Sequence, residues 1–264
     1  MQHRLFKDQL DRTVSIPFPP LRIISLVPSQ TEFLFDLGLD EEIVGITKFC
    51  IHPADRFKIK AKVGGTKKLN LDLIRSLKPD LIIGNKEEND QQQIEALMQD
   101  FPVWMSDISN LEEAINMMEG VGAITGKAVK AGEMTSLIRE RFRELAKLNR
   151  DHPKRIAYMI WKDPLMAAGR DTFINDVLER AGWQNAVEKS RYPELNAEEL
   201  QAYSPELVFL SSEPYPFKEK HLAEFREVCP AAEVLIVDGE MFSWYGSRLL
   251  QVPSYLQTLS AQKS

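Results

Sequence analysis

Leu69-Asn70-Leu71-Asp72-Leu73-Ile74, followed by Lys78-Pro79-Asp80-Leu81-Ile82-Ile83, returns as Leu195-Asn196-Ala197-Glu198-Glu199-Leu200, followed by Ser204-Pro205-Glu206-Leu207-Val208-Phe209. Leu195 and Pro205 each lie 126 positions after their counterparts Leu69 and Pro79, so the repeat is ungapped. Each copy carries an acid, an apolar helix face, a proline that stops the helix and an apolar strand. Such a unit, stated twice at one spacing, predicts two similar α/β lobes.

Outward from the repeat, short β-rich runs alternate with helical patterns. Strands are read at 22–26, 43–46, 81–83, 103–104, 156–160, 207–210 and 234–237. Nearly all are continuous apolar runs, as parallel strands covered on both faces require. A helix over 31–37 follows Ser29 as a candidate N-cap and stops at Gly38. Another opens at Asp171 or Thr172, runs to Ala181 and stops at Gly182. The stretch 111–149 carries no strand signal, and Leu137, Ile138, Phe142, Leu145 and Leu148 follow helical periodicity. One helix over 128–149, about 33 Å long at 1.5 Å per residue, would connect the two repeat copies. The expected fold is therefore α/β, with two Rossmann-like lobes of mainly parallel sheets joined by a single long α-helix. The expected division is an N-terminal extension over 1–19, a lobe over 20–125, the connecting helix over 126–150 and a second lobe over 151–264.

Composition narrows the function. The 264 residues are 44% hydrophobic, enough for a substantial core, and 33 basic against 39 acidic residues give a net charge of −6. No Lys/Arg block suits a phosphate backbone, so nucleic acid is not an expected partner. No run approaches the roughly 18 to 20 apolar residues needed to span a bilayer, so membrane insertion is not expected. The opening residues, Met1 to Asp8, contain no apolar leader core, which favours a cytoplasmic protein. Cys50 and Cys229 fall in different lobes and are expected as free thiols.

Ligands of open α/β sheets bind beyond the carboxyl ends of the strands. Those segments hold His52, Asn85, Trp161, Tyr215, Trp244, Tyr245 and Arg248, with Glu87, Glu88, Glu213 and Glu240 nearby in sequence. Flat rings and cations of this kind suit a large ligand. Trp161 and Phe242 have a second reading as core-closing residues. Trp244-Tyr245-Gly246-Ser247-Arg248 follows neither helix nor strand periodicity, so at least one of its rings is expected to be exposed. His52 beside Cys50 is the candidate metal contact, although Cys-x-His lacks the third and fourth ligands of a zinc site. Gly64-Gly65-Thr66-Lys67 reads as a turn lining the ligand site. Gly120, Gly122 and Gly126-Lys127 miss the spacing of a phosphate loop, and no nucleophile motif is present.

Arg22 to Glu32, both copies of the repeat, and Ala168-Gly169-Arg170-Asp171-Thr172-Phe173-Ile174-Asn175-Asp176-Val177-Leu178 together resemble the helical-backbone substrate-binding proteins of ABC importers, over about residues 20 to 260. That family captures cobalamin, haem and ferric siderophores. The resemblance implies a shallow cleft, little change on binding, periplasmic location, and one acid per lobe docking to arginine pockets of a dimeric permease. Those acids map to Asp72 and Glu198, which the helix dipole would equally favour as first-turn residues. Cobalamin-binding members place tryptophans near Thr66 and Asn85 and an aromatic at Tyr192, and only the last survives here.

The expectation is a monomeric binding protein without catalysis or intrinsic cofactor. Its ligand is expected to be a cobalt corrinoid first, a ferric siderophore or haem second. His52, Thr66, Lys67, Asn85, Trp161, Tyr192, Tyr215, Trp244, Tyr245 and Arg248 are the expected ligand contacts, and Asp72 and Glu198 the permease contacts. The competing readings are a chelatase-like enzyme pairing His52 with Glu213 or Glu240, and a cytoplasmic carrier or sensor.

Overall fold

The computed structural model describes residues 2–147 and 152–261. The chain packs as two compact units. The first comprises residues up to 108, 112–137 and 245–248, and the second comprises 109–111, 138–244 and the residues from 249 onward.

The first unit contains β1 (Gln2–Lys7), β2 (Thr13–Phe18), β3 (Ile23–Ser25), α1 (Pro28–Asp36), β4 (Ile43–Ile46), α2 (Ala54–Ile59), β5 (Ala61–Lys62), α3 (Leu71–Leu77), β6 (Leu81–Asn85), α4 (Gln91–Met98) and β7 (Val103–Ser106). Strands β3 to β7 form a parallel sheet in the order β5-β4-β3-β6-β7. Ile24, Leu26, Ile82 and Val103 from the sheet pack with Ile74, Ile94 and Leu97 from the helices. Then come α5 (Leu111–Ile124) and α6 (Ala128–Ala146), whose residues pass from the first unit to the second between Leu137 and Ile138. The helix expected over 128–149 is thus present as far as Ala146, while Leu148 and Asn149 lie outside the described residues. Gly120 and Gly122 are interior to α5, in keeping with the rejection of a phosphate loop.

The second unit contains β8 (Arg155–Trp161), β9 (Leu165–Ala168), α7 (Phe173–Arg180), β10 (Gln184–Asn185), β11 (Glu194–Leu195), α8 (Ala197–Ala202), β12 (Leu207–Ser211), α9 (Leu222–Val228), β13 (Glu233–Val237), α10 (Glu240–Ser243) and α11 (Val252–Ala261). Its sheet runs β11-β9-β8-β12-β13 with β10 also paired to β8. Strands β8, β10, β12 and β13 are parallel, whereas β9 is antiparallel to β8 and to β11. Ala157, Met159, Val208, Leu210 and Val234 pack here with Leu200 and Phe225.

The repeat is preserved to single hydrogen bonds. Asn70 caps α3 by accepting from Leu73 N, and Asn196 caps α8 by accepting from Glu199 N. Glu199 returns the favour to Asn196 N, completing a capping box. Lys78 and Ser204, 126 positions apart, both take φ of 48° ahead of the proline. Arg22 Nε donates to Leu77 O at 3.0 Å and Arg155 to Tyr203 O at 2.9 Å, satisfying carbonyls that a helix end leaves open. Asp80 and Glu206 accept from the backbone N of those same arginines at 2.8 and 2.9 Å. Replacing Asn196 with alanine is expected to lower unfolding stability by about 1 kcal/mol, read from the urea midpoint, because the first-turn N–H of Glu199 loses its acceptor.

Three sequence readings need correction. Ser29 is not the N-cap of the first helix: α1 begins at Pro28 after Val27, because proline at the first helical position already has the φ a helix needs. Ser29 is buried inside that helix. Thr172, by contrast, does cap α7, accepting from Asn175 N at 3.1 Å. The stretch over 1–19 is more than an extension, since β1 and β2 pair as an antiparallel hairpin. Its turn lies along β7, where Gln9 N donates to Met105 O at 3.0 Å, Asp107 N to Gln9 Oε1 at 3.1 Å and Arg12 to Val103 O at 3.0 Å. Asp8, 6% exposed, accepts from Met105 N and is held by Arg12. Finally, β9 escapes the sequence reading because Leu165-Met166-Ala167-Ala168 has weak strand preference.

Candidate functional site

In the first unit the strand carboxyl ends feed a web of buried polar side chains. Thr31 Oγ1 donates to Ser25 Oγ at 2.7 Å, and the Cys50 thiol lies 3.1 Å from the hydroxyls of both Thr31 and Thr47. Burial pushes that thiol above its ordinary range, so Cys50 is an inert neutral group here. Gln30 donates to Ser106 Oγ, and Asn85 Nδ2 donates to the same oxygen at 3.0 Å. Asn85 Oδ1 accepts from Glu87 N and Glu88 N, which shapes the loop after β6. Asn85 is 1% exposed, so its work is to hold this loop and its side chain is not a ligand contact.

Beside that loop an open groove of about 940 Å³ is lined by Lys48, Phe49, the turn from Gly64 to Lys68, and Asp72 and Arg75 of α3. Thr66 and Lys67 both line it. Lys67 Nζ donates to Glu87 O and, at 3.3 Å, to Asn89 O. Glu88 has its carboxyl pushed up by burial, partly offset by the charge of Lys67.

Residues 245–248 belong to the first unit. Arg248 grips Glu32 of α1 with two parallel bonds, Nε to Oε2 at 3.0 Å and a terminal nitrogen to Oε1 at 2.7 Å. The Glu32 carboxyl is nonetheless raised, because burial outweighs the arginine and the smaller pull of His52. Arg248 therefore ties this segment down and is not available as expected for a ligand carboxylate. His52 is half-buried. Among the described residues no group of three or more His, Cys, Asp or Glu could hold a metal ion.

The second unit offers a different surface. Trp161, at the end of β8, is 39% exposed, and its ring meets Tyr215 edge-on with centroids 5.5 Å apart. Tyr215 in turn packs on Phe217 and lies 3.5 Å from His221 Nε2. His221 is buried and accepts at Nδ1 from Lys218 N, so its other nitrogen carries the proton toward Tyr215. Tyr192 is half-buried beside Arg191. Trp244 and Tyr245 are 6% and 7% exposed, which overturns the expectation that one of them is open. Trp244 Nε1 donates to Glu213 Oε1 at 2.8 Å, and Ser243 Oγ donates to the same oxygen at 2.7 Å. Glu213 is thus a structural anchor. Cys50 and Cys229 are both free and buried.

Both acids of the repeat are exposed. The Asp72 side chain is 99% exposed and 3.6 Å from Arg75, and Glu198 sits in the first turn of α8 facing solvent.

The model of the family described as periplasmic binding protein matches residues 23–230. The chain belongs to that family. As a periplasmic binding protein it is 25% identical over 199 residues to the vitamin B12-binding protein of Vibrio cholerae serotype O1, covering 74% of this chain and 72% of that one. It is 26% identical over 212 residues to an uncharacterized ABC transporter substrate-binding lipoprotein of Bacillus subtilis, covering 76% of this chain and 67% of the relative. Among solved structures, the periplasmic vitamin B12-binding protein of Vibrio cholerae superposes with a TM-score of 0.79 at 24% identity, covering 94% of this chain and all of that one. A periplasmic heme-binding protein of Pseudomonas aeruginosa gives 0.81 at 22% identity, with 93% and 94% covered. These likenesses establish the two-lobe α/β fold of the binding proteins. No helix among the described residues is long and apolar enough to cross a membrane.

Lys48, Phe49 and Lys68 are groove residues that the sequence reading left out. The signal was present in the continuity of Lys67 with Lys68 and of Lys48 with Phe49, but only folding brings the two segments to one groove.

Proposed function

We propose that this chain is the substrate-binding protein of an ABC-type importer and captures a metal chelate, a corrinoid or a ferric siderophore or haem. The observation that carries this reading is the family match, joined to strand ends that bear a partly exposed ring pair, Trp161 on Tyr215, in one unit and a cation-lined groove in the other. Stacking surfaces and a few charges are what a large planar ligand needs. His52, in the loop after β4, and Tyr192, in the segment between β10 and β11, are the secondary contacts of this reading. Asp72 and Glu198 fit the docking role because an exposed carboxylate gives register and steering on a basic permease. On this reading the protein works as a monomer outside the cytoplasmic membrane.

The chelatase alternative gains no support from the described residues. Glu213 is held by Trp244 and Ser243, and no cluster that could hold a metal accompanies His52.

Calorimetric titration of the purified chain with cyanocobalamin, haemin and an iron(III) tris-catecholate is the test. At least one is expected to bind with Kd of about 1 μM or tighter. Glu198→Lys, which lies outside the groove, is expected to leave that Kd unchanged and to abolish cellular uptake of the same chelate. Binding of none of the three would overturn the receptor reading.

A further inference from the structure

The groove of the first unit departs from the rest of the molecule in charge. The chain carries a net charge of −6, yet the groove is lined by Lys48, Lys67, Lys68 and Arg75 against one carboxylate, Asp72. Arg75 is paired with Asp72 at 3.6 Å and with Asp100 at 2.9 Å, so the lysines supply the unbalanced charge. Lys67 is oriented by two backbone carbonyls, which position an ammonium without neutralising it. Two acids lie near Lys67: Glu88, whose carboxyl burial pushes up, and Asp90, whose carboxyl is held low mainly by the Gln93 backbone N–H that it caps.

A flat apolar surface accompanies these cations. The Phe49 ring is 49% exposed, and Lys48 Nζ stands 5.0 Å from its centroid. A Cβ on Gly65 would fall 3.2 Å from Phe49 Cε2 and 3.4 Å from Lys48 Cε, so the glycine lets ring and lysine stem lie close over the turn. An uncharged guest would have to strip water from ammonium groups and give nothing back. A small inorganic anion would leave the ring unused.

We propose that this groove takes the anionic edge of the ligand, and that the chelate captured is one whose planar groups carry carboxylate or catecholate oxygens. The inference rests on the receptor reading above and selects within it: the anionic chelates move ahead of the amide-rich, electrically quiet corrinoid. The ring of Phe49 receives the planar part, and Lys48, Lys67 and Lys68 meet its oxygens with charge-assisted hydrogen bonds.

The test compares an iron(III) tris-catecholate and haemin with cyanocobalamin, using the whole chain and quenching of tryptophan fluorescence. The anionic probes are expected to bind, to weaken as salt rises from 50 to 500 mM, and to weaken by about tenfold or more in Lys67→Glu. Phe49→Ala, which changes no charge, is expected to weaken the same probes severalfold without altering the salt dependence. Unchanged melting temperatures separate these effects from misfolding. Corrinoid binding without binding of either anionic probe would overturn the inference and leave the receptor reading standing. So would anionic binding that is indifferent to both substitutions. Failure of all three probes would overturn the receptor reading and this inference with it.

Discussion

Arg248→Ala is expected to lower the unfolding free energy by about 2 to 3 kcal/mol at pH 7, because it leaves the Glu32 carboxylate buried and unpaired. The two side chains are 10% and 17% exposed, which places the effect below that of a fully buried pair. Lysine at position 248 is expected to recover only part of the loss, since an ammonium cannot reproduce the two parallel bonds. The pH dependence has a definite sign. Burial raises Glu32 above the ordinary carboxyl value of 4.5, so the folded chain holds that proton more tightly than the unfolded chain. Stability from this group is present below about 4.5 and is lost as pH rises through the folded value. Arg248 opposes the rise, so its removal steepens the loss. The gap between wild type and Arg248→Ala therefore widens from pH 4.5 toward neutrality. Urea unfolding at pH 5 and pH 7 measures it, and equal gaps at the two values would refute the assignment of burial as the dominant cause. Arg248→Ala combined with Glu32→Gln should regain part of the stability at pH 7.

Gly64→Ala is expected to cost about 3 to 4 kcal/mol and to weaken chelate binding together with it. Gly64 has φ of 108°, a conformation closed to side-chain-bearing residues without strain of roughly 1 to 3 kcal/mol. Its added Cβ would also fall 2.4 Å from Lys68 O, a backbone atom that cannot rotate away. The turn would have to open, breaking the paired bonds between Gly65 and Lys68 and between Lys48 N and Gly64 O. Those bonds are what align Lys48, Thr66, Lys67 and Lys68 on one groove. The measurements are the urea midpoint and the Kd for haemin. A variant that loses stability but keeps wild-type affinity would show that the turn does not shape the ligand site.

The repeat was legible because its signals are local. An apolar helix face, a proline and a strand each act within a few residues, and both copies fold as a helix that ends before the proline and a strand that follows it; the asparagine caps and the matched φ of Lys78 and Ser204 were not part of that reading. Strands β3, β4, β6 and β7 of the parallel sheet were legible for the same reason, as continuous apolar runs, whereas the two-residue β5 carries no such run. The site was less so. Glu32 and Arg248 stand 216 positions apart, and nothing in either neighbourhood announces the other. The irregular spacing of Trp244 and Tyr245 suggested exposure, but an irregular segment has no single buried face, and each ring finds its own cover. Trp244 does so by bonding Glu213, thirty-one positions away. Asn85 looked like a post-strand ligand group, whereas a buried amide with three partners is a loop brace. The turn that puts Thr66 and Lys67 on the groove was legible because its paired glycines are a strong local signal.

The hairpin turn along β7 closes an edge of the first unit's sheet. β7 is the outermost strand of its sheet, and an open outermost strand is a template on which a second chain can pair. Here Val103 O, Met105 N, Met105 O and Asp107 N are all claimed by Asp8, Gln9 and Arg12. The cover comes from nearly one hundred positions earlier in the chain, so it closes only when distant segments meet, a slow class of event in folding. Chain trimmed to begin at β3 would keep every groove residue and lose this guard, and would then meet its own copies edge to edge.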